Sequence, residues 1–182
     1  YGFVVSLLND LFGIQARGGC SCAGPYARSL LGMDMAFSKR VEAAVTSGAG
    51  LMRPGWVRLN FNYFIAADEL EYLLRALELV AEYGWRLLQC YRYDAAHGVW
   101  RHHQADVERR DPLAGLDWLQ VSGAVQAPRY AGSLQDALAV AEQLLRSEDT
   151  PALPCTLTLC AEHEAIRWFV LPRETLTQTS GA

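Results

Sequence analysis

Lysine is almost missing from this sequence. Lys39 is the sole lysine among 16 basic residues, and the rest are arginine. The formal net charge is −4 and the pI about 5.5, which excludes a broadly basic surface for nucleic acid. No apolar run approaches the roughly 20 residues needed to span a bilayer as a helix. The sequence opens on Tyr1 and Gly2 and runs straight into a helix pattern, with no signal peptide ahead of it. It reads as a fragment cut from a longer protein. Five cysteines (20, 22, 90, 155 and 160) form an odd set without regular spacing, which argues against a disulfide framework. Reduced thiols and a cytoplasmic setting are expected. A Gly-x-Gly-x-x-Gly or phosphate loop is lacking, and Gly48 to Gly55 resembles one only superficially. His97, His102, His103 and His163 lack partners at metal-ligand spacing and are expected at the surface, so no metal site is expected. No internal repeat is present.

What is there begins with ample material for a core: 51% of the residues are hydrophobic. Phe3, Val4, Leu7, Leu8 and Leu11 fall at helical spacing, with Gly13 as a C-terminal cap. A short strand is expected over Ile14–Ala16. The loop Arg17-Gly18-Gly19-Cys20-Ser21-Cys22-Ala23-Gly24-Pro25 follows. Its glycines allow tight bends, and Pro25 fixes its exit. Arg17 lies five residues before Cys22, and a cation near a thiol stabilises the nucleophilic thiolate. The loop reads as a reactive one held between packed elements.

Downstream, a helical turn is expected over Tyr26–Leu31, ending at Gly32. A weaker helix carries Phe37, Val41, Ala44 and Val45 and stops at Ser47–Gly50. Gly55–Phe64 alternates as a strand, with Arg58 in an otherwise apolar setting. The strongest helix pattern follows, with Leu70, Leu73, Leu74, Leu77 and Ala81 as its stripe. Asp68 and Glu69 complement its dipole, Ala66 leaves its start without a side-chain cap, and Gly84 ends it. Leu87–Tyr93 and Val99–His102 predict a hairpin. Arg101–Gly115 reads as a polar loop. Ser133 caps an amphipathic helix with Leu134, Ala137, Leu138, Ala141 and Leu145 on one face and Asp136 three residues after the cap. Strands are expected at Thr156–Leu159 and Ile166–Val170, and a disordered tail from Thr175 to Ala182.

Residues Ile14 to Pro25, with Trp56-Val57-Arg58-Leu59-Asn60-Phe61-Asn62-Tyr63 and the helix after them, resemble the class V aminotransferase family. The similarity is closest to the group II cysteine desulfurases and selenocysteine lyases. It covers about the first half of the chain, and Gly32–Pro54 looks like an insertion relative to the shorter desulfurases. The resemblance implies an α+β fold. Residues 1–86 would form the C-terminal small domain of a fold-type I pyridoxal-phosphate enzyme, and residues 87–182 an α/β extension of hairpins and one helix. It implies that Cys22 matches the family's catalytic cysteine, whose thiolate attacks the sulfur of a bound substrate cysteine and leaves alanine. It implies that Arg58 grips the substrate's α-carboxylate and that Arg17 is a second arginine near the substrate. A guanidinium suits this role because it binds a carboxylate through two parallel hydrogen bonds. Cys20 has no family counterpart.

Enzymes of this kind hold pyridoxal phosphate through a lysine. Lys39 does not sit in the family's cofactor motif, so no cofactor-binding residue is expected within this chain. The resemblance further implies an amino-acid substrate, a homodimer and, for sulfur transfer, an acceptor protein. Whether the reaction is transamination, sulfur or selenium removal, or another elimination is open. Two other readings stand beside it: a binding or structural module that kept the fold, and a small thiol redox protein using Cys20 and Cys22.

Overall fold

A computed structural model describes residues 1–20, 24–105, 132–147 and 157–175. Over the described residues the protein is α+β, mainly helical, with two small antiparallel sheets. Helix α1 spans Gly2–Phe12. Gly13 ends it in the left-handed region, φ 64°, with its N–H donated back to Asn9 O. This is the expected glycine cap. Strand β1 is Arg17–Gly19, α2 is Gly24–Leu30 and α3 is Met35–Thr46. Asp34 caps α3 by accepting from Phe37 N at 2.7 Å. A single 3-10 turn, Gly50–Met52, leads into β2, Trp56–Arg58. Helix α4 covers Ala67–Tyr83. Another 3-10 stretch, Gly84–Cys90, passes into the hairpin of β3, Tyr91–Asp94, and β4, Val99–His102. Helix α5 is Leu134–Arg146, and two short helices follow, α6 (Ala161–Glu164) and α7 (Pro172–Thr175).

The main core joins Leu7, Leu8 and Phe12 of α1 to Tyr72, Ala76, Leu79 and Val80 of α4. The same cluster includes Tyr91 and Trp100 of the hairpin and Leu138, Ala141 and Leu145 of α5. Residues on both sides of position 86 therefore share one core. Polar bonds reinforce the apolar contacts. Tyr72 Oη donates to Phe12 O at 2.8 Å, Ser6 Oγ to Trp100 O at 2.9 Å, and Tyr91 Oη to Asp10 Oδ2 at 2.9 Å. Burial, then the Asp10 carboxylate, pushes the Tyr91 phenol far up. Arg75 links α4 to α5 through Glu142 at 3.1 Å. A smaller cluster joins Val41 and Ala44 of α3 to Met52 and Ile166. Among the described residues, no helix is long and apolar enough to cross a membrane.

Several expectations change. The strand expected over Ile14–Ala16 begins only at Arg17, and Ile14 is buried in the core instead. The strand expected over Gly55–Phe64 is three residues long, because β1 offers only three residues to pair with. The remainder is a loop in which Asn62 Oδ1 accepts from Phe64 N at 2.9 Å. In α4 the buried face is Tyr72, Ala76, Leu79 and Val80. Leu70 and Leu74 are exposed, as is Ala81. Apolar residues cover so much of this helix that its partners, α1 and α5, decide which face is buried. At its start Glu69 Oε2 accepts from Ala66 N at 3.0 Å, which supplies half of a capping box. Gly84 ends α4 as its C-cap, as expected, and also opens the 3-10 stretch. A Cβ there would lie 3.0 Å from Leu7 Cδ2, so the residue serves close packing against α1. Leu87 belongs to that stretch rather than to the hairpin strand, which starts at Tyr91.

Ile166–Val170 is not a strand, nor are Leu157–Leu159; α6 lies between these segments instead. Thr175, the first residue of the expected tail, is buried at the end of α7. The remaining tail, Thr156, and the expected loop beyond residue 105 lie outside the described residues. The capping box of α5 is as expected. Ser133 Oγ accepts from Asp136 N, and Asp136 Oδ2 accepts from Ser133 N.

Candidate substrate-carboxylate site

The β1–β2 ladder is built on glycine. Gly18 pairs with Val57 and Gly19 with Trp56. A Cβ on Gly18 would meet the Tyr1 ring at 2.6 Å, and one on Gly55 would meet the Gly19 backbone at 2.7 Å. The two backbones approach this closely because no side chain separates them there. The third pair of the ladder is Arg17 with Arg58. Directly paired residues of an antiparallel ladder share a face, and like charges in such positions repel. Both arginines are exposed, and neither makes an ion pair or side-chain hydrogen bond with a described residue. The ladder therefore makes two exposed arginines direct backbone partners, and no described acid compensates their side-chain charges. Each guanidinium offers five N–H donors in a planar fork, which suits a shared carboxylate or similar oxyanion.

Sequence reasoning named both arginines separately. Their cross-strand pairing was hidden, because the intervening 40 residues fold into α2 and α3 before the chain returns as β2. Cys22 lies outside the described residues, which resume at Gly24. Cys20, the last described residue before that gap, carries a free, partly buried thiol. It lines a cavity of about 320 Å³ with Arg28, Ser38, Glu42 and Arg53 among others. None of these four partners drew notice in the sequence, since each looks like an ordinary helix or loop residue. Lys39 is exposed on α3 and does not line this cavity.

A second cleft of about 660 Å³ is aromatic. Phe3, Tyr93, Trp100, Trp168 and Phe169 line it, and Arg53 is its charged member. In the hairpin turn, Asp94 accepts from Arg101 Nε at 3.2 Å and lies 2.8 Å from His97 Nδ1. The His97 ring, with Arg101 beside it, holds the Asp94 carboxyl down at about 2. This cluster fixes the turn, because Asp94 Oδ1 also accepts from the backbone N–H groups of Ala96 and His97. Among the described residues, no three His, Cys, Asp or Glu side chains gather as a metal site would require.

Comparison with protein-family models, with curated proteins and with solved structures found no match to this chain. The class that fold and geometry define is an α+β protein with an exposed cross-strand arginine pair.

Proposed function

We propose that this chain supplies the substrate-carboxylate side of a pyridoxal-phosphate-dependent amino-acid site of the class V aminotransferase kind. The observation that supports it is the Arg17–Arg58 pairing. The two residues that the family resemblance singles out independently are direct neighbours across the ladder, on a surface where no described acid compensates them. In this reading Arg58 grips the α-carboxylate of the amino acid, and Arg17 adds a second cationic contact. Cys22, three residues after β1 in the sequence, is the reactive thiol if the reaction removes sulfur.

The cofactor itself does not fit the described residues. Lys39 lines neither the aromatic cleft nor the Cys20 cavity, and no other lysine exists in the sequence. The lysine that holds pyridoxal phosphate is therefore expected on a segment outside residues 1–182, and this chain's part is to bind and orient the substrate. A homodimer, a cytoplasmic setting and, for sulfur transfer, an acceptor protein belong to the same proposal.

The test uses the intact protein that contains this chain, loaded with pyridoxal phosphate. Alanine and sulfide release from L-cysteine is compared with turnover of cysteamine, which lacks the carboxylate. Wild type is expected to favour cysteine. Arg58→Gln should lose about tenfold or more in kcat/KM for cysteine, the loss of one charge-assisted contact, with little change for cysteamine. Cys22→Ala should abolish sulfide release. Unchanged discrimination in both Arg17→Gln and Arg58→Gln refutes the carboxylate assignment. A second reading, a carboxylate-binding module without catalysis, draws on the same arginine pair and on the exposed Lys39. It expects binding of the amino acid with no product.

A further inference from the structure

Neither Arg17 nor Arg58 lines the aromatic cleft, whose volume of about 660 Å³ is that of a small-molecule site. Its walls are apolar, and among its polar side chains Trp100, Tyr93 and Arg53 carry donors that no described residue accepts. Trp100 is only 9% exposed, yet its Nε1–H has no partner among the described residues. That N–H is not sealed in. Among the described residues, the unpartnered side-chain atoms without accessible surface are Ser38 Oγ, Arg86 Nε, Gln89 Oε1 and Glu164 Oε2. Its open side is the cleft. A Cβ on Gly2 would lie 3.2 Å from Trp100 Cδ1 and 3.6 Å from Nε1. Gly2 lines the aromatic cleft and not the other opening that Trp100 borders, beside His97 and Arg101. A buried N–H without an acceptor costs free energy, so one on an open wall points to a ligand that accepts from it. Tyr93 Oη stands 3.4 Å from where a Gly50 Cβ would be. The same 3-10 turn carries Arg53, whose N–H donates to Gly50 O at 3.1 Å. Burial, then the Tyr1 phenol, pushes the Tyr93 phenol up against the opposing Arg53 charge, so Tyr93 stays a protonated donor at neutral pH. Arg53 is exposed and makes no ion pair with a described residue, and no acidic side chain lines the cleft. Arg53 also borders the Cys20 cavity, where Arg28 and Glu42 pair with each other.

We propose that the aromatic cleft binds a small carboxylate with an aromatic body of two or more rings. Arg53 and Tyr93 Oη receive the carboxylate, and Trp100 Nε1–H donates to a second oxygen of the ligand. The rings pack on Phe3, Trp168 and Phe169. The ligand is an anion because the cleft presents donors and one unpaired cation against no acid. Its body is aromatic because aromatic pairs gain beyond the area they bury. The guanidinium is exposed, so the carboxylate stays near water while the rings leave it. Pyridoxal phosphate and the Arg17–Arg58 pair take no part, so the proposal stands or falls independently of the substrate-carboxylate site.

The experiment titrates the intact protein that contains this chain, without added cofactor, with four probes. These are 2-naphthylacetate, the neutral 2-naphthylacetamide, the cationic 2-(2-naphthyl)ethylamine, and decanoate, an acid without rings. Calorimetry gives the affinities, and the nitrogen-15 indole N–H signals, with that of Trp100 assigned through Trp100→Phe, report the place. 2-Naphthylacetate is expected to bind about tenfold more tightly than the amide, the effect of one charge-assisted contact. The amine should bind more weakly than the amide, and decanoate several-fold more weakly than 2-naphthylacetate. The Trp100 indole N–H signal should move downfield at saturation. Arg53→Gln should erase the preference for the acid over the amide, and Tyr93→Phe should weaken the acid while leaving the unfolding midpoint in place. Failure of 2-naphthylacetate to bind, equal affinities for acid and amide in wild type, or decanoate binding as tightly as 2-naphthylacetate overturns the proposal. So does a Trp100 signal that stays still at saturation. A preference lost in Arg17→Gln or Arg58→Gln but kept in Arg53→Gln places the acid at the arginine pair and overturns it as well.

Discussion

Replacing Gly55 by alanine tests how the arginine pair is held. The new Cβ would lie 2.7 Å from Gly19 C, 2.8 Å from Gly19 Cα and 2.9 Å from Tyr1 Cδ1. Ordinary contacts of this kind are 3.4–4 Å. The two nearest atoms are backbone, so no rotamer change relieves the clash, and β1 must shift by more than half an ångström. The ladder is only three residue pairs long and cannot absorb such a shift elsewhere. Overpacking of this kind costs about 1–3 kcal/mol. Gly50→Ala is the control. Its Cβ would meet nothing closer than Tyr93 Oη at 3.4 Å, and its backbone is not left-handed. It should change stability by no more than about 0.5 kcal/mol. Urea unfolding followed by tryptophan fluorescence reads both. With a slope near 2 kcal/mol per molar, Gly55→Ala lowers the midpoint by roughly 0.5–1.5 M. The same variant should weaken the carboxylate preference, because Arg17 and Arg58 lose their register. Midpoints that coincide for the two variants would refute the close-approach argument.

Three further outcomes follow from the structure. Leu145→Ala removes a fully buried side chain at the meeting of α5, α4 and α1 and should cost about 2–5 kcal/mol in urea or thermal unfolding. Arg58→Gln should raise the unfolding midpoint slightly at low salt by relieving repulsion from Arg17, and the gain should vanish in high salt. Asp94, held at about 2 against an ordinary 3.8, stabilises the hairpin turn fully above about pH 4. That contribution is lost as pH falls toward 2, so Ala96 and His97 amide signals should move over this range in wild type and not in Asp94→Asn.

Local signals carried well from sequence to structure, and pairing signals did not. Gly13 as a cap and Ser133 with Asp136 as a capping box each depend on residues within one turn, so the sequence shows them directly. The hairpin was legible because Asp94 to Gly98 separates two apolar runs, although its first strand starts four residues later than expected. The face of α4 was not legible, since leucines at 70, 73, 74 and 77 and the buried set Tyr72, Ala76, Leu79 and Val80 compete around one cylinder. The alternation after Arg58 predicted a strand that has no partner to extend it among the described residues. At the site, residue types gave Arg17 and Arg58, while the register gave their adjacency. Ser38 shows no signal at all in the sequence, because a lone serine in a helix is read as solvent-facing.

Helix α1 is the first element of the chain, yet its partners come late. Ser6 bonds to Trp100, Asp10 to Tyr91, and Leu138 and Leu145 complete the core around Leu7 and Leu8. On a ribosome adding about 5–20 residues per second, more than a hundred residues and on the order of ten seconds separate α1 from the helix that closes over it. Until α4 and the hairpin are made, the apolar face of α1 is open, and the α5 side of the core stays open for the whole interval. Its sticky surface is a natural target for holding chaperones, and slowing translation between α4 and α5 should lengthen that wait and lower the soluble yield.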